Sequence, residues 1–487
     1  MLRSLAAGAA IALGAGTAAA QGGGRPVAIE RVTVIAMTGQ PPRAGQTVLI
    51  RAGRIEAVGP ADSVRVPAGA VRVDGRGKYV IPGLWDMHVH TSREGRAAYF
   101  WPLFLAHGVT GVREMGSYLD TLRYWREELR RRPEAGPRII WSSPMLDGSP
   151  AAWRHGIALT TPDAARAMVD SMHALGFDFL KVYVRLPRDV YRAIADRATQ
   201  IGMPFAGHVP ASMTPAEAAE AGQRSIEHQT GIYTSCVPGA REEREAIRAA
   251  RRAGAPDDSI AARQARFAAR YLREYDSAAC GRLFETFRAR GTWQTPTLVV
   301  QRGGTFAGDS AMARDPRRAF MPPALTARWD RDGAERDAED GPEAVAFFRE
   351  LFRRELQLTG AMHRAGVRIL VGTDASDEPN VYPGSGVHDE LELLVEAGLS
   401  PVAALAAATT GPAEYLGLLD SLGTVEAGRA ADLVILDADP LADIRNIRKV
   451  RAVVSRGLLI DGAARAALLD SAGARAARAV PSPPAAQ

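Results

Sequence analysis

His88 and His90 stand two residues apart in VIPGLWDMHVH (80–90), so on an extended strand both imidazoles project from one face and can reach a single ion. His208 lies in PFAGHVP (204–210), His228 closes RSIEH (224–228), and Asp374 lies in RILVGTDA (368–375). Imidazole nitrogens and a carboxylate are donors that suit zinc and similar divalent ions. A lone histidine at a strand end is more often a hydrogen-bonded core residue, and an aspartate in GTDA alone reads as a helix cap. Four of only nine histidines fall at strand ends in this order, however, which favours one metal site over four separate core residues.

Lys181 lies in the apolar run DFLKVYV (178–184), where a permanent charge needs a partner. Lys78, Lys181 and Lys449 are the only lysines among 60 Lys and Arg residues. A strand lysine in so Arg-biased a chain suggests chemistry that a guanidinium cannot do. A buried amine near cations can lose its proton and react with carbon dioxide, giving a carbamate whose two oxygens bridge two ions. The other reading is a lysine that reaches the strand end or pairs with a carboxylate.

Tyr183, two residues on, shares the face of Lys181 and is placed to stabilise a developing oxyanion, or else to pack at the rim. His388, in PGSGVHDELELLVEAG, is expected to contact substrate, the other reading being the start of a helix. Arg113, Glu114, Trp153 and His155 are weaker candidates, for which pairing or surface roles are expected.

These residues need elements that bring them together. Between residues 81 and 421, short apolar strands alternate with longer helical stretches, which argues for βα units and a parallel sheet. Eight strands read in order: 80–90, 109–116, 137–146, 178–184, 204–210, 224–228, 293–300 and 368–375. Eight closes an α/β (β/α)8 TIM barrel, whose active site lies at the C-terminal ends of its strands. The region is longer than a typical barrel of about 250 residues, and the surplus is assigned to insertions at 232–292 and 301–345. The first has helical periodicity with a turn at Gly254–Asp258 and reads as a solvated helical hairpin in preference to a lid.

Residues 26–80 and 422–463 alternate apolar and polar side chains between glycines, the pattern of antiparallel strands. Neither piece suffices for a core alone, so together they are expected to form one small composite β-sandwich. The Ala-rich tail after about 463 is expected to fray.

With 46% hydrophobic and 24% charged residues over 487 positions, the chain can bury a sizeable core, and disorder over most of it is excluded. The net charge of +5 is spread too thinly to predict a nucleic-acid partner. Residues 1–20 have the layout of a secretory signal peptide: an early Arg3, an uncharged Ala/Leu/Ile/Gly stretch, then Ala18-Ala19-Ala20. No later run is apolar enough to act as a membrane anchor, and no cysteine sits at the cleavage site to take a lipid. The expected location is therefore secreted or periplasmic, an oxidising setting where Cys236 and Cys280 either pair or remain two unrelated buried thiols.

The runs PGLWDMHVH, the fourth-strand lysine, GHVP, SIEH and GTDAS, with the closing GTVEAGRAADLVILD, resemble the amidohydrolase superfamily over roughly residues 28–460. Within it the chain looks most like the imidazolonepropionase-like and prolidase-like metal-dependent hydrolases. The resemblance implies two divalent ions, most simply zinc: His88, His90 and Asp374 hold one, His208 and His228 the other, and carbamylated Lys181 bridges them. Two ions balanced by the carbamate, Asp374 and a hydroxide leave a residual charge of about +1, which suits a polarised carbonyl and an activated water. The implied reaction is hydrolysis of an amide or peptide C–N bond, in a dipeptide or N-acyl amino acid, with Asp374 carrying the proton to the leaving amine. Two alternatives stand beside it: a mononuclear hydrolase of a cyclic amide, lactone or imine, and an inert periplasmic binding protein. A small-molecule substrate is the expected partner, and self-association into a homo-oligomer stays open.

Overall fold

The computed structural model describes residues 25–92 and 95–479. The expected signal peptide lies outside the described residues. Seven strands run parallel and side by side in the order Leu84–Val89, Val109–Glu114, Arg138–Asp147, Phe179–Val182, Phe205–Gly207, Ser225–Glu227 and Trp293–Thr295. Nearly all of their residues are buried, as expected of strands covered on both faces.

The eighth segment, 369–375, closes the ring without a regular ladder. It makes parallel bridges from Ile369 to Gln294 and from Ala375 to Val89, and Asp374 N donates to the His88 carbonyl at 2.7 Å. Gly372 is what lets it approach: a Cβ there would meet Thr295 Cγ2 at 2.4 Å and His88 Cβ at 2.9 Å. The strand expected over 293–300 stops at Thr295, because Thr297 takes a left-handed φ of 50° and starts the helix Leu298–Thr305.

The terminal pieces join as expected, their eight strands linked into one hydrogen-bonded set. Leu433–Leu436 pairs antiparallel with Tyr79–Pro82, placing Ile435 opposite Val80. The inward side chains of both pieces, among them Val27, Ile29, Ile50, Val80, Leu433 and Ile435, form a core of their own.

In the first insertion, helices Ala240–Arg252 and Asp257–Arg273 flank the expected turn, and a disulfide joins Cys236 to Cys280. Through 301–345 runs the helix Pro323–Arg364, broken at Gly341. Up to residue 479 the tail corrects the expected fraying: Gly462–Ala476 is a helix capped by the Asp461 carboxylate and packed on the helix Ala97–Ala106, while its last residues lie outside the described ones. Its alanines allow close approach, so Ala472 and Ala476 are fully buried.

Candidate metal centre

The candidate donors lie at or near the C-terminal ends of their strands. His88 and His90 come from the end of Leu84–Val89, His208 follows Phe205–Gly207, and His228 follows Ser225–Glu227. His228 and Asp374 both have left-handed backbones, φ 56° and 53°, which re-aim their side chains where an extended strand would carry them past the site. Such conformations cost a non-glycine residue about 1 kcal/mol or more and concentrate at functional positions.

The donors converge. Asp374 Oδ1 lies 3.5 Å from His88 Nε2 and 3.3 Å from His90 Nε2, and its Oδ2 lies 3.9 Å from His228 Nε2. Donor atoms of His88, His90 and Asp374 all fall within 4.8 Å of one another, the spacing of ligands around one ion. The imidazoles continue from there: the ring of His228 is 4.5 Å from that of His88 and 4.7 Å from that of His208. Burial pushes the His88 and His208 imidazoles well below their ordinary range, and the Lys181 charge adds to the effect. Burial likewise lowers His228 to about 4, although the Asp374 carboxylate pulls the other way. All three are therefore neutral at pH 7 and keep lone pairs for a Lewis acid.

His88 Nε2 and His208 Nδ1 are buried and make no hydrogen bond. Leaving such nitrogens unsatisfied is costly unless a non-protein partner completes them, so the donor set fits divalent ions of the zinc type.

The candidate ligands are held from behind. His88 Nδ1 pairs with Glu227 Oε2 at 2.8 Å, His90 Nδ1 with the Gly116 carbonyl at 2.9 Å, and His228 Nδ1 with Thr297 Oγ1 at 2.6 Å. With the δ nitrogens engaged, the ε nitrogens face the centre. Arg113, fully buried, donates to both Glu227 oxygens at 2.9 Å, and to Ser225, Tyr415 and the Met87 carbonyl. Asp86 accepts from the backbone of His88 at 3.2 Å and of Thr373 at 2.9 Å, tying the first strand end to the segment that carries Asp374.

Lys181 is fully buried on Phe179–Val182, with Nζ 5.9 Å from the centre of the Tyr183 ring. The Tyr183 ring in turn lies 4.4 Å from that of His208, and its hydroxyl accepts from Trp153 Nε1 at 2.8 Å. A cavity of about 70 Å³ opens among His90, Tyr183, His208, His228 and Asp374, with Trp153 in its wall.

His388 requires a correction. On the helix Ser385–Glu396 it points away from this cavity: its Nε2 pairs with the His107 carbonyl at 2.9 Å, and it is fully buried beside the His107 ring. It is not among the residues lining this cavity. Arg113 and Glu114 have the expected pairing roles, Glu114 accepting from the backbone of Thr91 and Ser92. His155 packs against the rings of Tyr118 and Trp153, while Trp153 proves to be a cavity residue. Sequence reasoning missed Asp86, Glu227 and Thr297. A signal existed for Glu227: a carboxylate in one buried strand and Arg113 in another imply each other.

A parallel barrel with histidines and an aspartate clustered at its strand ends defines the metal-dependent barrel hydrolases. The chain belongs to the amidohydrolase family, whose family model matches residues 79–460, and it is a hydrolase of carbon–nitrogen bonds. The imidazolonepropionase of Sphingopyxis alaskensis is 26% identical over 421 residues, spanning 82% of this chain and 87% of that protein. Among solved structures, the bottromycin amidohydrolase is 24% identical with a TM-score of 0.68, covering 95% of this chain and 94% of its own. A putative prolidase from Bifidobacterium longum is 24% identical with a TM-score of 0.64, covering 92% and 99%. These likenesses show that the fold is shared along almost the whole chain.

Proposed function

We propose that the protein is an exported binuclear metal-dependent amide hydrolase acting on a dipeptide or an N-acyl amino acid. The observation that carries the reading is Lys181, fully buried beside His88, His208 and His228 and bearing on all three electrostatically. His88, His90 and Asp374 would hold one ion, His208 and His228 the second, and Lys181 would bridge as a carbamate. Carbamylation joins the neutral amine to carbon dioxide by one new N–C bond and releases one proton, turning a cation into an anionic bidentate ligand. When bound, the ions supply Lewis acidity and lower the pKa of a coordinated water towards about 7.

The chain's own groups do the rest. Asp374 stands at the middle of the cluster, where it accepts the proton of the attacking water and returns it to the leaving nitrogen. Tyr183 faces the same cavity, its oxygen accepting from Trp153 Nε1, and its phenol is placed to stabilise the developing oxyanion.

Export is supported by the leader-like N-terminus and by the disulfide, which an oxidising compartment sustains. One observation favours a second reading: among the described residues the tight group of donors comprises His88, His90 and Asp374, which suits a single ion, unmodified Lys181 and a cyclic amide, lactone or imine as substrate. Hydrolysis of a dipeptide and N-acyl amino acid library by the zinc-loaded protein tests the first reading. Release of free amino acid from at least one of these supports it; turnover of cyclic substrates alone favours the second.

A further inference from the structure

A cleft of about 740 Å³ lies away from the metal centre, between the helix Leu119–Arg131, the first half of the strand Arg138–Asp147 and the turn at Arg456. Pockets that take whole ligands measure about 300–1,000 Å³. Trp141 lines this cleft and Met145 on the same strand lines the catalytic cavity, so the two lie about 13 Å apart along the strand. Buried Trp141 and Leu129 and half-buried Ile139 give the cleft an apolar lining. Tyr124 and Leu175 beside them are 58% and 38% exposed, and large apolar side chains grouped in this way mark a binding surface.

The charges in the cleft do not cancel. Glu127 is answered twice, by Arg130 at 2.8 Å and by Arg131 at 3.0 Å. That leaves Arg123, Arg126 and Arg456 against Asp120, and among the described residues none of these three arginines makes an ion pair. Arg126 spends one nitrogen on the Leu175 carbonyl at 3.1 Å, and the neighbouring Asp178 carboxylate already accepts from Trp141 N at 2.7 Å. Arg456 is the least satisfied. Asp432 takes its backbone N–H at 2.6 Å and pairs its other oxygen with Arg138 at 2.7 Å. The Arg456 guanidinium is left with the Pro137 carbonyl at 3.5 Å, and its buried Nε makes no hydrogen bond. Burial and the Arg138 charge lower its pKa to about 10, so it stays a cation at pH 7. Holding such a cation without a counter-charge is costly unless an anion comes to it.

We infer that this cleft is a second ligand site, separate from the metal centre, which binds an amphipathic organic anion: Arg123, Arg126 and Arg456 receive its acidic head group, and Tyr124, Ile139 and Trp141 receive its flat apolar body. Guanidinium groups match the planar or tetrahedral oxygens of such a head group, and aromatic side chains stack on a flat body. Arg456 lies in the turn between the strands Val450–Ser455 and Leu458–Ile460, so the ligand bridges the terminal sheet and the barrel. A neutral ligand leaves the cations unanswered, and a small inorganic anion leaves the apolar lining in water. The site is independent of what the metal centre hydrolyses.

Three probes separate the two contributions. Naphthalene-2-sulfonate carries the anion and the flat body, methyl 2-naphthyl sulfone has the body without the charge, and sulfate has the charge without the body. Calorimetry on the metal-loaded protein is expected to show naphthalene-2-sulfonate binding at least about tenfold more tightly than either of the others. Arg123→Gln, at an exposed position, is expected to weaken the sulfonate about fivefold or more and leave the sulfone unchanged. Adding Arg456→Asn, a residue that tolerates the φ of 51° there, is expected to bring the sulfonate down to the level of the sulfone. Tyr124→Ala is expected to weaken both naphthyl probes and not sulfate. Equal binding of naphthalene-2-sulfonate and either comparison probe, no binding of the sulfonate, or a sulfonate affinity unchanged by Arg123→Gln overturns the inference.

Discussion

His88 Nδ1 lies 2.8 Å from Glu227 Oε2, and both side chains are fully buried at the end of the barrel. The contact fixes the tautomer of His88 and turns Nε2 towards Asp374, while Arg113 donates to both Glu227 oxygens from the other side. Orientation of the ligand thus depends on a pair that never touches the reacting atoms.

Glu227→Gln is expected to weaken metal binding about 10–100-fold, the usual effect of removing such a support. It also leaves Arg113 without its buried counter-charge, at a cost of about 3 kcal/mol or more. Zinc competition titrations and urea unfolding measure the two effects separately. Wild-type metal affinity in a folded Glu227→Gln protein contradicts the positioning role.

Tyr183→Phe is expected to lower kcat about 10²–10³-fold with little change in KM, as loss of an oxyanion donor does. Trp153→Phe removes only the indole that aligns the phenol, and its effect is expected to be the smaller of the two. A kcat unchanged by Tyr183→Phe assigns the tyrosine to packing.

Burial raises the Glu355 carboxyl from its ordinary 4.5 to about 8. Between these values the folded chain keeps a proton that the unfolded chain has lost, so this group's contribution to stability is complete below about pH 4.5 and disappears as pH rises through about 8. Glu355→Gln is expected to flatten that decline in urea midpoints followed across the window. Parallel wild-type and variant curves contradict it.

Cys236 and Cys280, 44 residues apart, cross-link the first insertion. The double replacement Cys236→Ser/Cys280→Ser is expected to cost about 2–4 kcal/mol of stability, as loops of this size do, and to leave metal content unchanged. Loss of metal together with the disulfide contradicts a purely structural role.

The histidines were legible because a two-residue spacing and apolar runs ending in imidazole survive without tertiary context. Asp374 was legible by type, but not its left-handed backbone, which closure against Gly372 and His88 imposes. Glu227 and Arg113 sit on strands far apart in sequence; their types hint at a pair, but the closed barrel is what brings them into contact. His388 misled because most of the helix Ser385–Glu396 is buried, so a polar residue there carries no sign of facing the site. The tail misled in the opposite sense: its alanines look weakly hydrophobic, yet small side chains are what allow one helix to settle on another.

The central claim is that Lys181 serves as a carbamate bridging two ions, and Lys181→Arg tests it most directly. A guanidinium keeps the positive charge and approximate length but neither reacts with carbon dioxide nor ligates a cation. Metal content of the purified proteins by elemental analysis is expected to show about two ions per wild-type chain and one or fewer in Lys181→Arg, with activity largely lost; in Lys181→Ala, added acetate or propionate is expected to restore part of the metal. Two bound ions and near-wild-type activity in Lys181→Arg, or saturation of the wild-type protein at a single ion, contradicts the claim.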